Sequence, residues 1–185
     1  MKKAAVIGNI IFIYLAALLP VLLFANGKSI IVTFLWENLF SNNIFVPLIL
    51  LLFFGILMYI INILFLLQAR QGRWSARELA RTNMIVKLAQ IPAYVFIFVV
   101  GVICMIMIFT VGITFMFALL DAFSLGMTGL YALAVFYRLR KEYIISTKMQ
   151  ICYALASFVF CADVIAAILG YRICANAEQQ KNCSI

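Results

Sequence analysis

The chain has 185 residues, of which 68% are hydrophobic and only 11% are charged, and its formal net charge is +8. Soluble domains carry about 45 to 50% apolar and about 25% charged residues, so this composition excludes an ordinary soluble domain. The basic residues lie beside long apolar stretches and form no separate basic module, which argues against nucleic acid as a partner. We therefore expect an all-α integral membrane protein, with residues 1–185 forming a single transmembrane helical bundle and no soluble domain.

The first predicted span covers residues 4–25 and follows Lys2 and Lys3. A cleaved signal peptide shares this basic start, but its apolar core is about 7 to 15 residues long and ends near a small residue. Here the apolar stretch is longer, and Leu23 stands where a small residue is preferred. We interpret the segment as a retained membrane anchor, with a bend at Pro20 near its outer end.

Residues 30–40 form a second apolar segment, in which only Thr33, Glu37 and Asn38 are polar. The segment is shorter than the about 20 residues that a membrane-spanning helix needs. We expect a short helix that lies in the outer interface or over the mouth of the bundle, with Trp36 as its anchor. A lid over a ligand cavity is the functional alternative to a helix that simply faces lipid.

Four further spans follow in the sequence. Pro47 suits the first turn of the second span, where its missing N–H costs nothing. Residues 92–137 are then apolar over a length that suits two helices, and Asp121 is the single charged residue among them. Because Asp is a favourable N-cap residue, we place the break between these two helices at Asp121. The five predicted spans are residues 4–25, 45–67, 92–119, 121–138 and 150–171.

The distribution of basic residues orients this five-span arrangement. Eleven of the 14 Lys and Arg residues lie in segments 2–3, 70–87 and 138–148, all of which face one side. Lys and Arg near membrane spans stay on the cytoplasmic side. The count predicts a multi-pass protein of the cell membrane with a cytoplasmic N-terminus and an extracytoplasmic C-terminus.

The inner loop carries a helix start signal and a basic stripe. Ser75 and Glu78 match the Ser-x-x-Glu capping box, which predicts an inner amphipathic helix over residues 76–91. Arg73, Arg77 and Arg81 follow one another at intervals of four. This stripe either binds the head groups of anionic lipids, at about 1 kcal/mol per charge, or only holds the topology.

Asp163 lies within the fifth predicted span, and an ionisable residue inside a membrane is a functional hypothesis by default. No basic residue is predicted at its depth, so we expect a neutral carboxyl group. Its expected partners at similar depth are the hydroxyl groups of Thr110, Thr114, Ser124 and Thr128. Either Asp163 makes an interhelical hydrogen bond that stabilises the bundle, or it is a proton or ligand site.

The same span carries small residues, and two cysteines follow it. Ala162, Ala166 and Gly170 repeat at intervals of four, which allows close approach of a neighbouring helix, a second copy or another membrane protein. Cys174 and Cys183 lie in the predicted outer tail, where an oxidising compartment would allow a disulfide.

Catalytic motifs are missing from the sequence. The chain has no His, no Walker loop and no Gly-x-Ser-x-Gly motif, so we expect neither an enzyme nor a metal site nor a cofactor.

Residues 81–101, RTNMIVKLAQIPAYVFIFVVG, include Asn83, Lys87, Gln90-Ile91-Pro92 and Tyr94. This stretch resembles a segment of small bacterial multi-pass membrane proteins of unknown function. The resemblance implies a bacterial cytoplasmic membrane and no activity that can be carried over to particular residues. We expect a non-catalytic accessory, interaction or lipid-binding membrane protein. The alternative is a small transporter or carrier that uses Asp163 as its membrane-embedded site.

Overall fold

The computed structural model describes residues 2–24, 29–40, 43, 45–106, 111–142, 144–159 and 161–183, with the backbone alone for 23, 24, 31, 111, 113 and 180–183. Within these ranges the chain forms seven α-helices and no strand. The helices are α1 Lys2–Phe24, α2 Ile30–Asn38, α3 Phe45–Arg70, α4 Ala76–Ile106, α5 Val111–Lys141, α6 Thr147–Ala156 and α7 Ala162–Cys183.

Four helices, α1, α3, α4 and α5, are long and apolar enough to cross a membrane, with mean hydropathies from 1.6 to 2.8. Their outward faces carry large apolar side chains, such as Phe53 on α3 and Val95 on α4, that are more than half exposed. A continuous apolar exterior of this kind suits lipid better than water. The architecture is therefore that of a membrane helix bundle, with four such helices among the described residues.

The helices of the bundle alternate in direction. Lys2 at the start of α1 forms an ion pair with Glu78 in the first turn of α4. At the same end, the backbone N–H of Ala76 donates to Glu142, 3.3 Å away, just after α5. The starts of α1 and α4 thus meet the ends of α3 and α5, and we call this end of the bundle the basic end.

The predicted break at Asp121, between residues 92–119 and 121–138, is wrong. α5 continues through Asp121 for 31 residues, and the connection from α4 falls at residues 107–110, which lie outside the described residues. One Asp in a helix interior costs under about 1 kcal/mol relative to Ala. The packing of a long apolar helix easily outweighs this cost.

α4 also differs from the prediction, because the expected inner helix over residues 76–91 and the expected span from Pro92 are one helix. The start at Ala76 follows from the cap, since the Ser75 hydroxyl accepts a hydrogen bond from the Glu78 N–H at 3.2 Å. Pro92 removes one N–H from the interior of the helix. In the preceding turn, the Tyr14 hydroxyl of α1 donates to the Ala89 carbonyl at 2.9 Å and ties α1 to α4 beside the proline.

The predicted fifth span, residues 150–171, is likewise wrong, because the chain reverses within it. After α6, the Ser157 hydroxyl donates back to the Tyr153 carbonyl at 2.8 Å, and Cys161 adopts a positive φ of 66° before α7 begins. We call α6, this turn and α7 the hairpin. The ten residues of α6 rise only about 15 Å, which is half of the about 30 Å thickness of a bilayer core.

α7 returns to the basic end. Arg77, near the start of α4, forms an ion pair with Glu178 in the last part of α7. The end of α7 and the start of α1 therefore lie at the same end of the bundle. The predicted arrangement of five crossings, with the two termini on opposite sides, is not confirmed.

α2 packs on the opposite end of the bundle. Trp36 is 5% exposed, and its indole N–H donates to the Leu22 carbonyl of α1 at 2.8 Å. Leu22, Trp36 and Phe40 form a small apolar cluster there. Trp36 thus anchors α2 to α1 and does not present its ring to the surroundings.

Candidate functional site: a polar seam between α4 and α5

Polar and small residues line the contact between α4 and α5 at intervals of seven. The α4 members are Lys87, Tyr94 and Gly101, and the α5 members are Thr114, Asp121 and Thr128. Seven residues are close to two helical turns, so each set lies on one face of its helix. Because the helices are antiparallel, Lys87 lies level with Thr128, and Gly101 with Thr114. We call these six residues the seam.

Two hydrogen bonds establish the register of the seam. The Lys87 ammonium donates to the Thr128 hydroxyl at 2.6 Å near the basic end. The Thr114 hydroxyl donates to the Gly101 carbonyl at 3.3 Å near the other end. Between these levels, the Tyr94 and Ser124 hydroxyl groups lie 3.2 Å apart. The seam therefore extends along most of the interface between the two helices.

At the level nearest the basic end, α7 adds a carboxylate to the seam. The Lys87 ammonium lies 2.6 Å from Asp163 Oδ2, and the two side chains are 0% and 2% exposed. The second oxygen, Asp163 Oδ1, accepts a hydrogen bond from the Val164 N–H at 2.7 Å. Asp163 also stands in the first turn of α7, where the helix dipole favours a negative charge. The arrangement is a closed ion pair whose members are both hydrogen-bonded.

Sequence reasoning missed Lys87 as the partner of Asp163. Lys87 was assigned to the inner loop, and the expectation of a neutral Asp163 carboxyl rested on the absence of a nearby basic residue. Because α4 starts at Ala76, Lys87 instead lies within the bundle, and its ammonium points at Asp163. The reason to expect a neutral carboxyl group is thereby removed.

The four predicted hydroxyl partners of Asp163 fall in different places. Thr128 contacts the same ammonium as Asp163, and Ser124 contacts Tyr94 one turn away. Thr114 lies 14 residues from Thr128, about 21 Å along α5 at about 1.5 Å per residue. Thr110 lies outside the described residues. The structure thus brings only Thr128 into the immediate surroundings of the ion pair.

A second polar contact, between side-chain amides, was not anticipated from the sequence. The Asn9 and Asn62 amides exchange two hydrogen bonds, of 3.1 and 2.9 Å, between α1 and α3. Gln90 of α4 donates to the Asn9 carbonyl at 3.0 Å. All three side chains are fully buried. Isolated amides in otherwise apolar spans were the available signal, because such side chains commonly join membrane helices.

The level of the seam farther from the basic end is open. A groove of about 240 Å³ lies between α4 and α5, and Asp121 is among its lining residues. Asp121 Oδ1 has no hydrogen-bond partner among the described residues. We call this cavity the outer groove. Its other lining residues are Ile97, Phe98, Gly101, Val102, Met105, Thr114, Phe117 and Ala118.

A larger cavity, of about 330 Å³, lies under α2 between α1 and α3. Its lining is entirely apolar and includes Leu19, Leu39 and Phe54. α2 is therefore placed as the predicted lid would be. The lining contains no polar side chain that could orient a ligand, so the cavity does not indicate which class of ligand would bind there.

The predicted basic stripe lies on the surface at the basic end, where Arg73, Arg77 and Arg81 are all exposed. Arg77 is engaged in the ion pair with Glu178. The other two acidic residues at this end are also paired, Glu78 with Lys2 and Glu142 with Arg138. The acidic residues at this end are thus all in ion pairs, while Arg73 and Arg81 form no ion pair among the described residues.

The small residues of α7 face the bundle of the same chain. Ala166 is buried, and a Cβ atom added at Gly170 would lie 3.0 Å from the Phe136 ring of α5. The face that was predicted to contact a partner, Ala162, Ala166 and Gly170, therefore packs at least in part within the chain.

Cys174 is a buried free thiol on this helix, and burial raises its pKa to about 12. The Cys183 side chain lies outside the described residues, so its disulfide with Cys174 stays a prediction.

Comparison of the chain with protein-family models, with curated proteins and with solved structures gives no match. Within the described residues, no group of three or more Cys, Asp or Glu side chains is placed to hold a metal ion.

Proposed function

We propose that the protein is a non-catalytic membrane protein with four spans, whose basic end faces the cytoplasm and binds the head groups of anionic lipids. In the sequence, Lys28 falls between α1 and α2, and Lys87 is buried; the other twelve of the 14 Lys and Arg residues fall in segments on the basic side. Such an asymmetry supports a cytoplasmic basic end. Arg172 and Lys181, which five crossings would place outside, join the same side in a four-span arrangement.

One observation carries the proposal of lipid binding. The three acidic residues at the basic end, Glu78, Glu142 and Glu178, are all in ion pairs within the chain. Arg73 and Arg81 are exposed, and no ion pair to either is formed among the described residues. Their charges are available to phosphate groups, and basic clusters next to a membrane attract anionic lipids.

The alternative, a small transporter that uses Asp163, has less support. Asp163 is almost fully buried, and Lys87 already neutralises it. Neither of the two cavities described above is lined by Asp163. Such a closed pair supports a structural role in which α7 is held against α4.

The proposal is tested by competition between lipids in nanodiscs that contain phosphatidylglycerol and phosphatidylcholine. We expect the Arg73→Gln/Arg81→Gln double variant to lose preference for phosphatidylglycerol, by about fivefold for each charge at about 1 kcal/mol. Lys28→Gln, which removes one charge from the sequence between α1 and α2, should leave the preference unchanged. An unchanged preference in the double variant would contradict lipid binding and would mean that the basic end only orients the protein in the membrane.

A further inference from the structure

We propose that the outer groove binds a small apolar ligand that carries a protonated amine, with the Asp121 carboxylate as its counter-ion. This site is separate from the basic end and from the Lys87–Asp163 pair. It arises where the seam continues beyond the tip of the hairpin, and none of its lining residues belongs to α7.

The groove is a defined cavity between two helices. Gly101 of α4 forms part of its wall, and a Cβ atom added there would meet nothing within 4 Å. Thr114, on the facing wall, already donates its hydroxyl hydrogen to the Gly101 carbonyl. Asp121 is therefore the one ionisable residue among the lining side chains, and the rest of the lining is apolar apart from this threonine.

Asp121 forms no ion pair among the described residues. Its Oδ1 atom is buried and accepts no hydrogen bond from the part of the chain that the structure describes. A carboxylate in apolar surroundings is strongly unfavourable unless it is paired or protonated. The buried ammonium group on the same seam belongs to Lys87, which pairs with Asp163 about two turns farther along. A cation that pairs with the ionised Asp121 therefore comes from outside these residues.

The size and lining of the groove define the ligand. Its volume of about 240 Å³ lies below the about 300 to 1,000 Å³ of typical small-molecule pockets, so it suits a compact molecule and not a partner helix. Phe98, Val102 and Phe117 offer contacts to an apolar body. The carboxylate selects an ammonium group, since a charge-assisted hydrogen bond is stronger than one between neutral groups.

The test uses two probes of nearly equal shape, the amine 1-aminoadamantane and the neutral alcohol 1-adamantanol. Binding to the purified full chain in detergent is measured by equilibrium dialysis against protein-free micelles. We expect the wild-type chain to bind the amine at least tenfold more tightly than the alcohol. Asp121→Asn should abolish this preference and leave binding of the alcohol unchanged.

A matched pair of glycine variants tests the location independently of Asp121. Gly101→Leu places a side chain into the outer groove and should abolish binding of both probes. Gly112→Leu adds the same side chain on α5, also into open space but outside the lining of the groove, and should bind as the wild type does. Equal affinity of the wild type for amine and alcohol would overturn the proposal. Unchanged amine binding in Asp121→Asn or in Gly101→Leu would do so as well.

Discussion

The two halves of the seam between α4 and α5 have the same residue spacing, but one half is closed by an ion pair and the other half lines an open groove. In the half near the basic end, Lys87 and Thr128 are covered by α7, and Asp163 completes a closed ion pair. In the other half, Asp121 lines an open groove and has no described partner for Oδ1. The comparison shows that a repeated polar pattern between two helices does not decide whether a site is closed. Whether the site is closed depends on whether a third helix, here α7, covers it.

The length of the hairpin accounts for the difference. α6 has ten residues, so the hairpin covers α5 over only about 15 Å before the chain turns. At the tip, Phe158 lies over Gly129, where an added Cβ atom would come within 2.5 Å of the phenyl ring. Gly129 directly follows Thr128, so the covered half ends close to the ion pair. Asp121, about two turns farther along α5, is left uncovered.

Removing one member of the ion pair should have the largest effect. Lys87→Met or Asp163→Leu leaves an unpaired buried charge, and we expect each to lower the free energy of unfolding by about 3 to 5 kcal/mol. The double variant should cost much less, because two apolar side chains of similar size avoid the desolvation of both charges. Equilibrium unfolding in mixed micelles measures all three variants. If the loss of unfolding free energy in the double variant equalled the sum of the two single losses, the two charges would not interact.

Filling the space under the hairpin tip should have the next largest effect. Gly129→Leu forces its side chain against the Phe158 ring, and such overpacking costs about 1 to 3 kcal/mol. Gly112→Leu on the same helix enters open space and serves as the control. The same unfolding measurement applies. If both variants had equal stability, Phe158 would not be packed on Gly129.

The ion pair at the other end of the hairpin should matter least. The Arg77 and Glu178 side chains are each about half exposed, so Arg77→Gln should cost under about 1 kcal/mol. The cost should fall further at high salt, because exposed charges are screened. A loss as large as that of Lys87→Met would mean that the end of α7, and not the buried pair, holds the hairpin in place.

Part of this structure could be read from the sequence, and part could not. The pattern of Ser75 and Glu78 indicated the start of α4, because a capping box acts locally. Apolar composition indicated the helical bundle but not its breaks, because the turn before α7 contains neither Gly nor Pro and uses a positive φ at Cys161. Interpreting that reversal as a crossing puts the end of α7 away from the basic end, whereas Glu178 lies there beside Arg77.

The candidate site, like the fold, could be predicted only in part from the sequence. Asp163 stood out as a charge among apolar residues, but Lys87 did not, since it lies close in sequence to the arginines of the inner loop. Asp121 was interpreted as a helix cap, although its spacing of seven from Thr114 and Thr128 was visible in the sequence. Periodicity places these residues on one face of α5. It does not show which of them another helix covers.

α7 returns to the basic end, and this return brings Asp163 to Lys87. The most direct test is the sidedness of the C-terminus, measured by protease accessibility of terminal epitope tags in sealed membrane vesicles of known orientation. We predict that tags on the N-terminus and on the C-terminus are protected or cleaved together, on the same side of the membrane. Tags on opposite sides would contradict the hairpin and restore five crossings.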